Sequence, residues 1–263
     1  MNERSPSYWE LAVEATTNTR QGYNLLAPRF EATGYATPAF WVEACARRVE
    51  ALFPLDPEHA RGADLACGTG RGLFTLRQSC RQWDGYDFSP GMLKQARKRI
   101  GPDPEVDLIE SDLAALELPE GAYDRVVTFG AWGHILAPWR SRLFEQIVRS
   151  LRPDGVFYTI TADRASPWNP EGWAASFFDL AIGVRNRLLG DPFHMYYRLN
   201  DTGTVRRLFE EMGGVRVQLE PVPGSPHRRL TLLMVSRIPT ARRPGERRRR
   251  PRSKPETREP ESP

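Results

Sequence analysis

Short apolar runs rich in β-branched residues alternate along this chain with segments of helical period. The runs that predict strands are 61–67, 82–87, 105–111, 123–129, 156–161, 215–220 and 229–237. The segments that predict helices are 7–15, 38–52, 89–100, 138–151 and 201–212. Residues 152–155 predict a turn, and the proline-rich stretch 221–226 predicts a hairpin-like return. Strands that alternate with helices are typical of a parallel sheet with helices on both faces.

Composition is consistent with one large or two small domains and an apolar core, because 40% of the 263 residues are hydrophobic. The three cysteines, Cys45, Cys67 and Cys80, form no CxxC pair, which argues against a disulfide framework and a zinc knuckle. The first residues contain no apolar secretory core, and no run approaches the roughly 18 apolar residues of a membrane span. We therefore expect a cytoplasmic protein with no membrane partner.

The basic charge is concentrated in the last 24 residues. Residues 240–263 contain nine Arg or Lys and four Glu, a net charge of +5, whereas the whole chain carries +4. The 239 residues before them are therefore close to neutral, which argues against a broad nucleic-acid-binding face. The tail has no aromatic residue and no Leu, Ile or Val, so we predict that 240–263 is disordered.

A glycine-rich turn follows the first predicted strand and opens a helix. The turn spans 64–72 and reads Asp-Leu-Ala-Cys-Gly-Thr-Gly-Arg-Gly. Glycine lets a backbone approach a ligand closely, and its amides can point at the site. Asp87 ends the next strand, where a carboxylate can accept from ribose hydroxyls. The GxGxxG and Walker patterns both fail here, but strand, turn, helix, strand and acid in this order indicate nucleotide binding.

Several motifs in order resemble the class I S-adenosylmethionine-dependent methyltransferases. The turn at 64–72 is similar to their first motif, with Ala66 in place of the first glycine, and 85–93 is similar to their second. The segments 109–113, 123–124 and 149–156 resemble the later motifs, and Tyr23 to Ala27 with Phe30 resembles an aromatic gate. Asn24 departs from this pattern, since an Asp is frequent there. The resemblance covers about residues 20–237.

The resemblance implies a doubly wound, seven-stranded, mostly parallel sheet of Rossmann-like methyltransferase type, with helices on both faces and an antiparallel last strand. It implies an N-terminal helical cap or gate at 1–55 and a donor-binding core at 56–239. An acceptor-binding insertion would lie at about 163–200. Ligands of such sheets bind outside the carboxyl ends of the strands, here Ala66–Gly70, Asp87, Asp112 and 129–134.

S-adenosylmethionine is the donor that the resemblance implies, with no metal. The residues expected to bind it are Tyr23, Asp64, Ala66, Cys67, Gly68, Gly70, Asp87, Phe88, Met92, Asp112, Leu113, Phe129 and Gly130. Asp64 would orient the turn or reach the amino end of the donor, unless it is a strand-end cap. Asp112 would accept from the adenine amine, unless it caps a short helix at 113–117. Phe88 and Met92 would cover the adenine faces, although Met92 is also a candidate core residue.

Residues 128–134 follow the fourth predicted strand and should lie near the reacting methyl group. They contain no Asn/Asp-Pro-Pro-aromatic motif, and the chain has no Pro-Cys nucleophile, so methylation of DNA bases is disfavoured. His134 is the candidate general base, and its alternative role is to cap or pack the next helix. Seven aromatic residues within 163–200 suggest an apolar acceptor pocket, a packed helix or a dimer surface. The candidate acceptor-binding residues are Trp132, Trp173, Phe177, Tyr196 and Tyr197.

The function predicted from these patterns is methyl transfer to a small or medium-sized acceptor by a monomer or homodimer. In line alignment of acceptor, methyl and sulfur would supply most of the catalysis, because the sulfonium already activates the methyl group. Two alternatives stay open. One is an RNA-modifying enzyme tethered by the basic tail, which the near-neutral body disfavours. The other is a protein that binds the donor without turnover.

Overall fold

The computed structural model describes residues 19–33, 36–131, 135, 137–162, 180, 183–184, 187–188, 202–227 and 229–238. The predicted helix at 7–15 and the tail at 240–263 lie outside these residues. Seven strands are present: β1 Arg61–Leu65, β2 Gln82–Asp87, β3 Val106–Glu110, β4 Tyr123–Thr128, β5 Leu151–Ala162, β6 Val215–Pro221 and β7 Leu230–Arg237. The helices are α1 Thr19–Leu26, α2 Ala39–Leu52, α3 Arg71–Leu76, α4 Pro90–Ile100, α5 Ala137–Ser150 and α6 Thr202–Met212. Two 3-10 helices cover Ala27–Ala32 and Pro57–His59.

The strands form one mixed sheet in the order β3-β2-β1-β4-β5-β7-β6. The first five strands pair in parallel, and β7 is antiparallel to both β5 and β6. The order reverses between β1 and β4, and a ligand cleft is expected at such a switch point. This is the Rossmann-like methyltransferase sheet that the motifs imply, so the predicted fold class is confirmed.

Each face of the sheet carries its own hydrophobic core. On one face, Phe144 of α5 stacks on Phe209 of α6 with ring centroids 4.4 Å apart, and both are fully buried. On the other face, α2 and α3 pack over the sheet around Trp83, which is 1% exposed. The same face brings α1 against α4. This second layer therefore holds the N-terminal helices beside the carboxyl ends of β1 and β2.

Local sequence explains the sharpest helix boundary. The side chain of Ser89 accepts a hydrogen bond from the Met92 amide at 3.1 Å, and Pro90 occupies the first helical position of α4. The predicted N-cap is therefore confirmed, because a serine hydroxyl satisfies an amide that the first helical turn leaves without a partner.

The sequence predicts a turn at 152–155 with β5 beginning after it, and this boundary is wrong. β5 already begins at Leu151, and its pairing with β4 is interrupted between Tyr123 and Arg125. Asp154 has a φ of +68°, and a Cβ on Gly155 would lie 2.9 Å from the Tyr123 carbonyl oxygen. The turn residues therefore form an irregularity inside the paired strand, because β4 continues to pair on both sides of it.

No helix in the described part of the chain is long and apolar enough to cross a membrane. Cys45, Cys67 and Cys80 are all buried and free, as their spacing predicts.

Candidate functional site

A cleft of about 210 Å³ opens at the carboxyl ends of β1, β2 and β4. Its wall combines strand ends with the N-terminal helices and the start of α5. The residues that line it are Thr19, Tyr23, Phe30, Glu31, Ala36, Thr37, Val42, Asp64, Ala66, Cys67, Gly68, Thr69, Arg71, Gly72, Asp87, Phe88, Met92, Ser111, Asp112, Leu113, Ala114, Phe129, Gly130, Ala131, Ile135 and Trp139. Twelve of the thirteen residues predicted to bind the donor are among them, and the exception is Gly70.

The glycine turn after β1 is built from residues in left-handed backbone conformations. Ala66, Gly68 and Gly70 have φ values of +58°, +56° and +75°. The Cys67 amide donates to the Tyr86 carbonyl oxygen at 2.9 Å, which ties the turn to the end of β2. No described atom outside residues 67–69 lies within 4 Å of a Cβ placed on Gly68. Gly68 therefore presents bare backbone to the cleft, the close approach for which glycine was predicted.

Gly70 serves the packing of a helix and not the approach of a ligand, so the prediction for this glycine is wrong. A Cβ on Gly70 would meet the Cβ of Ala96 at 3.0 Å, so this glycine lets α4 pack against the turn and does not face the cleft. Gly72 lines the cleft, although it was not among the predicted site residues. A Cβ there would lie 2.5 Å from Oδ2 of Asp64, so Gly72 makes room for that carboxylate.

Asp87 ends β2 with its carboxylate bound to two backbone amides. The Gly68 amide donates to Oδ2 and the Ser89 amide to Oδ1, both at 2.9 Å. The residue is 5% exposed. Burial raises the pKa of this carboxyl to about 6, in spite of the amide donors and the charge of Arg20, which lower it. A carboxylate held in this way faces the cleft as a rigid acceptor.

Asp64 lies beside Asp87 at the end of β1 and is 2% exposed. Burial raises the pKa of Asp64 well above its usual range, and the charge of Asp87 raises it further. The Leu73 amide donates to Asp64 and opposes the shift. This bond supports the predicted role of orienting the turn, because it links the end of β1 to α3. Two desolvated acids side by side also make the floor of the cleft attractive to a cation.

The wall after β3 is formed by the predicted acid and its neighbours. The exposed Asp112 accepts a hydrogen bond from the Ala114 amide at 2.9 Å, and Leu113 lines the cleft beside it. Residues 113–117 hold a turn and no helix, so the alternative role of Asp112 as a helix N-cap is wrong, although it does cap this turn. Met92 is 1% exposed and yet lines the cleft, so it serves both the core and the wall.

Three aromatic rings lie together at the segment where the resemblance implies an aromatic gate. The Tyr23 ring lies 6.2 Å from that of Phe30 and 5.8 Å, edge-on, from that of Phe88. Asn24 docks α1 onto α4, since its Oδ1 accepts from the Gly91 amide and the Ser89 hydroxyl, both at 2.8 Å. Asn24 thus fulfils an acceptor role that a carboxylate would also fill, which explains why its departure from the family pattern is tolerated.

An ionic cluster that the sequence patterns did not predict lies at the opposite wall. Glu31 of the 3-10 helix Ala27–Ala32 forms ion pairs with Arg71 and Arg99, and it accepts from the Thr69 hydroxyl. Glu31, Thr69 and Arg71 all line the cleft. Thr69 and Glu31 are 38 positions apart, so spacing along the chain gave no signal of their contact.

Phe129 and Gly130 line the cleft after β4, as predicted. The predicted base His134 and the acceptor-binding candidates Trp132, Trp173, Phe177, Tyr196 and Tyr197 lie outside the described residues. Ile135 and Trp139 nevertheless carry an apolar wall from the end of β4 to the start of α5. Within the described ranges, no group of three or more His, Cys, Asp or Glu is arranged to hold a metal ion.

Comparison with known proteins agrees with this geometry. Residues 63–155 match a family described as Methyltransferase domain. A probable S-adenosylmethionine-dependent methyltransferase of Mycolicibacterium smegmatis is 30% identical over 135 residues, which are 50% of this chain and 49% of the relative. A demethylmenaquinone methyltransferase of Bacillus licheniformis is 24% identical over 178 residues, 64% of this chain and 76% of the relative.

The fold has solved counterparts. The structure of DhpI in complex with SAH superposes with a TM-score of 0.61 at 15% sequence identity, covering 89% of this chain and 100% of that one. The chain spans about half the length of the Mycolicibacterium relative. The strand order, the glycine turn with its acid at β2, and the family match identify residues 63–155 as a methyltransferase domain of the class I, S-adenosylmethionine-dependent type.

Proposed function

We propose that this chain transfers a methyl group from S-adenosylmethionine to a small apolar acceptor. The observation that carries the proposal is the convergence of the glycine turn and Asp87 on one cleft at the switch point of the sheet. When bound, the donor supplies an activated methyl group. The residues of the chain have to bind the nucleoside, align the acceptor and exclude water.

The donor half of the cleft fits a nucleoside. The rigid carboxylate of Asp87 suits ribose hydroxyls, since it keeps accepting capacity beyond its two amide bonds. Asp112 is exposed at the wall and can accept from an adenine amine. Phe88 and Met92 offer apolar faces to a base, and the buried pair of Asp64 and Asp87 suits the positive charge of a sulfonium.

The acceptor half supports an apolar substrate. Phe30, Val42, Ile135 and Trp139 line the cleft, and we assign them to its acceptor half; Trp139 keeps 37% of its surface exposed. Hydrophobic and aromatic walls with few polar groups are typical of sites for apolar small molecules. The Bacillus licheniformis relative, a demethylmenaquinone methyltransferase, makes aromatic isoprenoid acceptors a reasonable first class to screen.

Labelled S-adenosylmethionine incubated with the protein and a fractionated metabolite extract tests this function. We expect the label to appear in fractions of low polarity. Asp87→Ala should reduce transfer by about 10- to 100-fold, because it removes a charge-assisted hydrogen bond worth about 1.5–3 kcal/mol. Asp103→Ala is the matched control, because Asp103 lies in the loop before β3 and outside the cleft.

Other outcomes would point elsewhere. Label in RNA, lost when residues 240–263 are removed, would favour the tethered RNA-modifying enzyme. Donor binding with no labelled product in any fraction would favour a protein that binds the donor without turnover. Failure of the protein to bind any adenosine-containing ligand would refute the assignment of the cleft.

A further inference from the structure

The near-neutral total charge of residues 1–239 includes a strongly basic segment. Residues 65–102, which span α3, β2 and α4, contain seven Arg or Lys and two acids, a net charge of +5. Both acids, Asp84 and Asp87, are buried in β2, so they add little negative charge to the surface of this segment. Because residues 1–239 sum to −1, the rest of them carries −6. A neutral average over the body is therefore compatible with a local basic surface.

One stripe of α4 presents three cations to solvent. Lys94, Arg97 and Lys98 are exposed, and their spacing of three and four residues places them side by side, with about 5–6 Å between Cβ atoms. Within the described residues none of the three forms an ion pair, whereas the nearby Arg81 is paired with Glu105. A helix dipole favours cations only in the last turn, so it does not account for Lys94.

α3 adds an exposed aromatic ring and a fourth cation. This helix packs against α4. Phe74 of α3 is 43% exposed, and the guanidinium carbon of the exposed Arg77 lies 4.6 Å from the centroid of its ring. The surface called here the α3–α4 face consists of Phe74, Arg77, Lys94, Arg97 and Lys98. None of these residues lines the cleft.

We propose that the α3–α4 face binds single-stranded RNA. Proteins that bind single strands without sequence preference combine cations, which follow the phosphates, with aromatic rings, on which bases stack. The face offers both kinds of group, four cations and the Phe74 ring. RNA provides most of the single-stranded nucleic acid of a cell. The inference does not depend on the proposed function, because the face lies outside the cleft.

A lipid surface fits the same face less well. The exposed stripe of α4 consists of Pro90, Lys94, Arg97 and Lys98, and it contains no Leu, Ile, Phe or Trp. A helix that lies in a membrane interface buries an apolar face in addition to its basic face. The apolar side of α4 is already buried inside the protein, so it is not available to lipid.

Fluorescence anisotropy with a labelled oligouridylate of about 12 nucleotides tests the proposal on the full chain. The logarithm of the affinity should fall with the logarithm of the salt concentration, with a slope of about −0.7 for each phosphate that is neutralised. Lys94→Gln combined with Lys98→Gln should make this slope shallower by about 1.4. The cations of the tail act equally in every variant, so they do not change this difference.

Phe74→Ala tests the base contact separately from the charges. This variant should bind oligouridylate about fivefold or more weakly with an unchanged salt slope, because stacking on the ring is lost and no cation is removed. Its binding of inorganic polyphosphate, which has no bases, should equal that of the wild type. Arg206→Gln combined with Arg207→Gln is the matched control, since it removes two exposed cations from α6 on the other face of the sheet.

Several results would overturn the proposal. An unchanged slope in the lysine variant would mean that the tail carries all RNA binding, and equal effects of the two double variants would mean that only total charge matters. Unchanged affinity of Phe74→Ala would exclude the base contact. Tighter binding of the matching DNA strand would make DNA the occupant. Binding of phosphatidylglycerol vesicles without binding of oligouridylate would make a lipid surface the occupant. Melting temperatures show which variants fold, and the lysine and Phe74 variants each decide the proposal if the other does not fold.

Discussion

Replacing Asp87 with Asn tests whether the buried, ionised carboxylate of Asp87 lowers the free energy of unfolding near neutral pH. Burial raises the pKa of Asp87 from its ordinary 3.8 to about 6, against two amide donors. Between these values the native protein binds a proton that the unfolded chain has released, so stability falls as the pH rises. The contribution is fully present below pH 3.8 and is lost as the pH passes about 6. A shift of about 2 units corresponds to about 3 kcal/mol, as an order of magnitude.

Urea unfolding of both proteins from about pH 4 to about pH 7.5 measures this contribution. The unfolding free energy of the wild type minus that of Asp87→Asn should fall by about 3 kcal/mol over this range. The variant also loses one acceptor for the amides of Gly68 and Ser89. This loss lowers the free energy of unfolding by the same amount at every pH, so it does not change the slope. Removing the charge of Asp87 also lowers the pKa of Asp64. The difference in unfolding free energy between the two proteins therefore falls more steeply with pH.

Asp112→Asn is the control for this measurement, since Asp112 is exposed and also accepts from a backbone amide. If the difference between wild type and Asp87→Asn stays flat across the range, then Asp87 titrates at its ordinary pKa. The electrostatic description of the cleft floor would then be refuted.

Four further outcomes are expected. Gly62→Ala should lower the unfolding free energy by about 1–3 kcal/mol in urea, because the new Cβ would lie 2.6 Å from the buried Trp83 ring; an unchanged value would contradict the packing at β1. Phe209→Ala should cost about 3–5 kcal/mol, since it removes the ring stacked on Phe144, and Phe74→Ala, at an exposed position, is its control. A chain ending at Pro239 should keep its melting temperature, because 240–263 has no residue able to pack into a core, and a drop of several degrees would contradict this. His134→Ala should lower turnover by about 100-fold or more with unchanged donor affinity if His134 is the general base, and near-wild-type turnover would remove it from the mechanism.

The strands and helices that position the cleft were predictable because their signals are local. Ser89-Pro90 marks the start of α4 within two residues, and the β-branched run at 123–129 marks β4. The position of Asp87 at the end of β2 follows from the same kind of pattern. The antiparallel direction of β7 was implied by the family resemblance, and the short proline-rich return that precedes β7 is consistent with it.

Features that depend on contacts between distant segments were not predictable. Gly70 was assigned to ligand approach, but the presence of Ala96 from α4 is what requires a glycine there. The irregularity at Asp154 reads as an ordinary turn in the sequence, because only the continued pairing with β4 shows that it lies inside a strand. The ionic cluster around Glu31 was not predictable for the same reason, since neither spacing nor composition brings Glu31 to Arg71.

In the proposed function, the charges in the cleft favour the donor over the product of its reaction. Asp64 and Asp87 are buried beside each other, and the Leu73 amide donates to Asp64, so the two carboxylates have little freedom to separate. A sulfonium placed above them would lower both pKa values and recover the free energy that their burial costs. The neutral thioether that remains after methyl transfer offers no such compensation. The burial of these two carboxylates therefore lowers the free energy of unfolding near neutral pH. In the proposed function, the same buried charges make the cleft selective for the charged donor and favour release of the product.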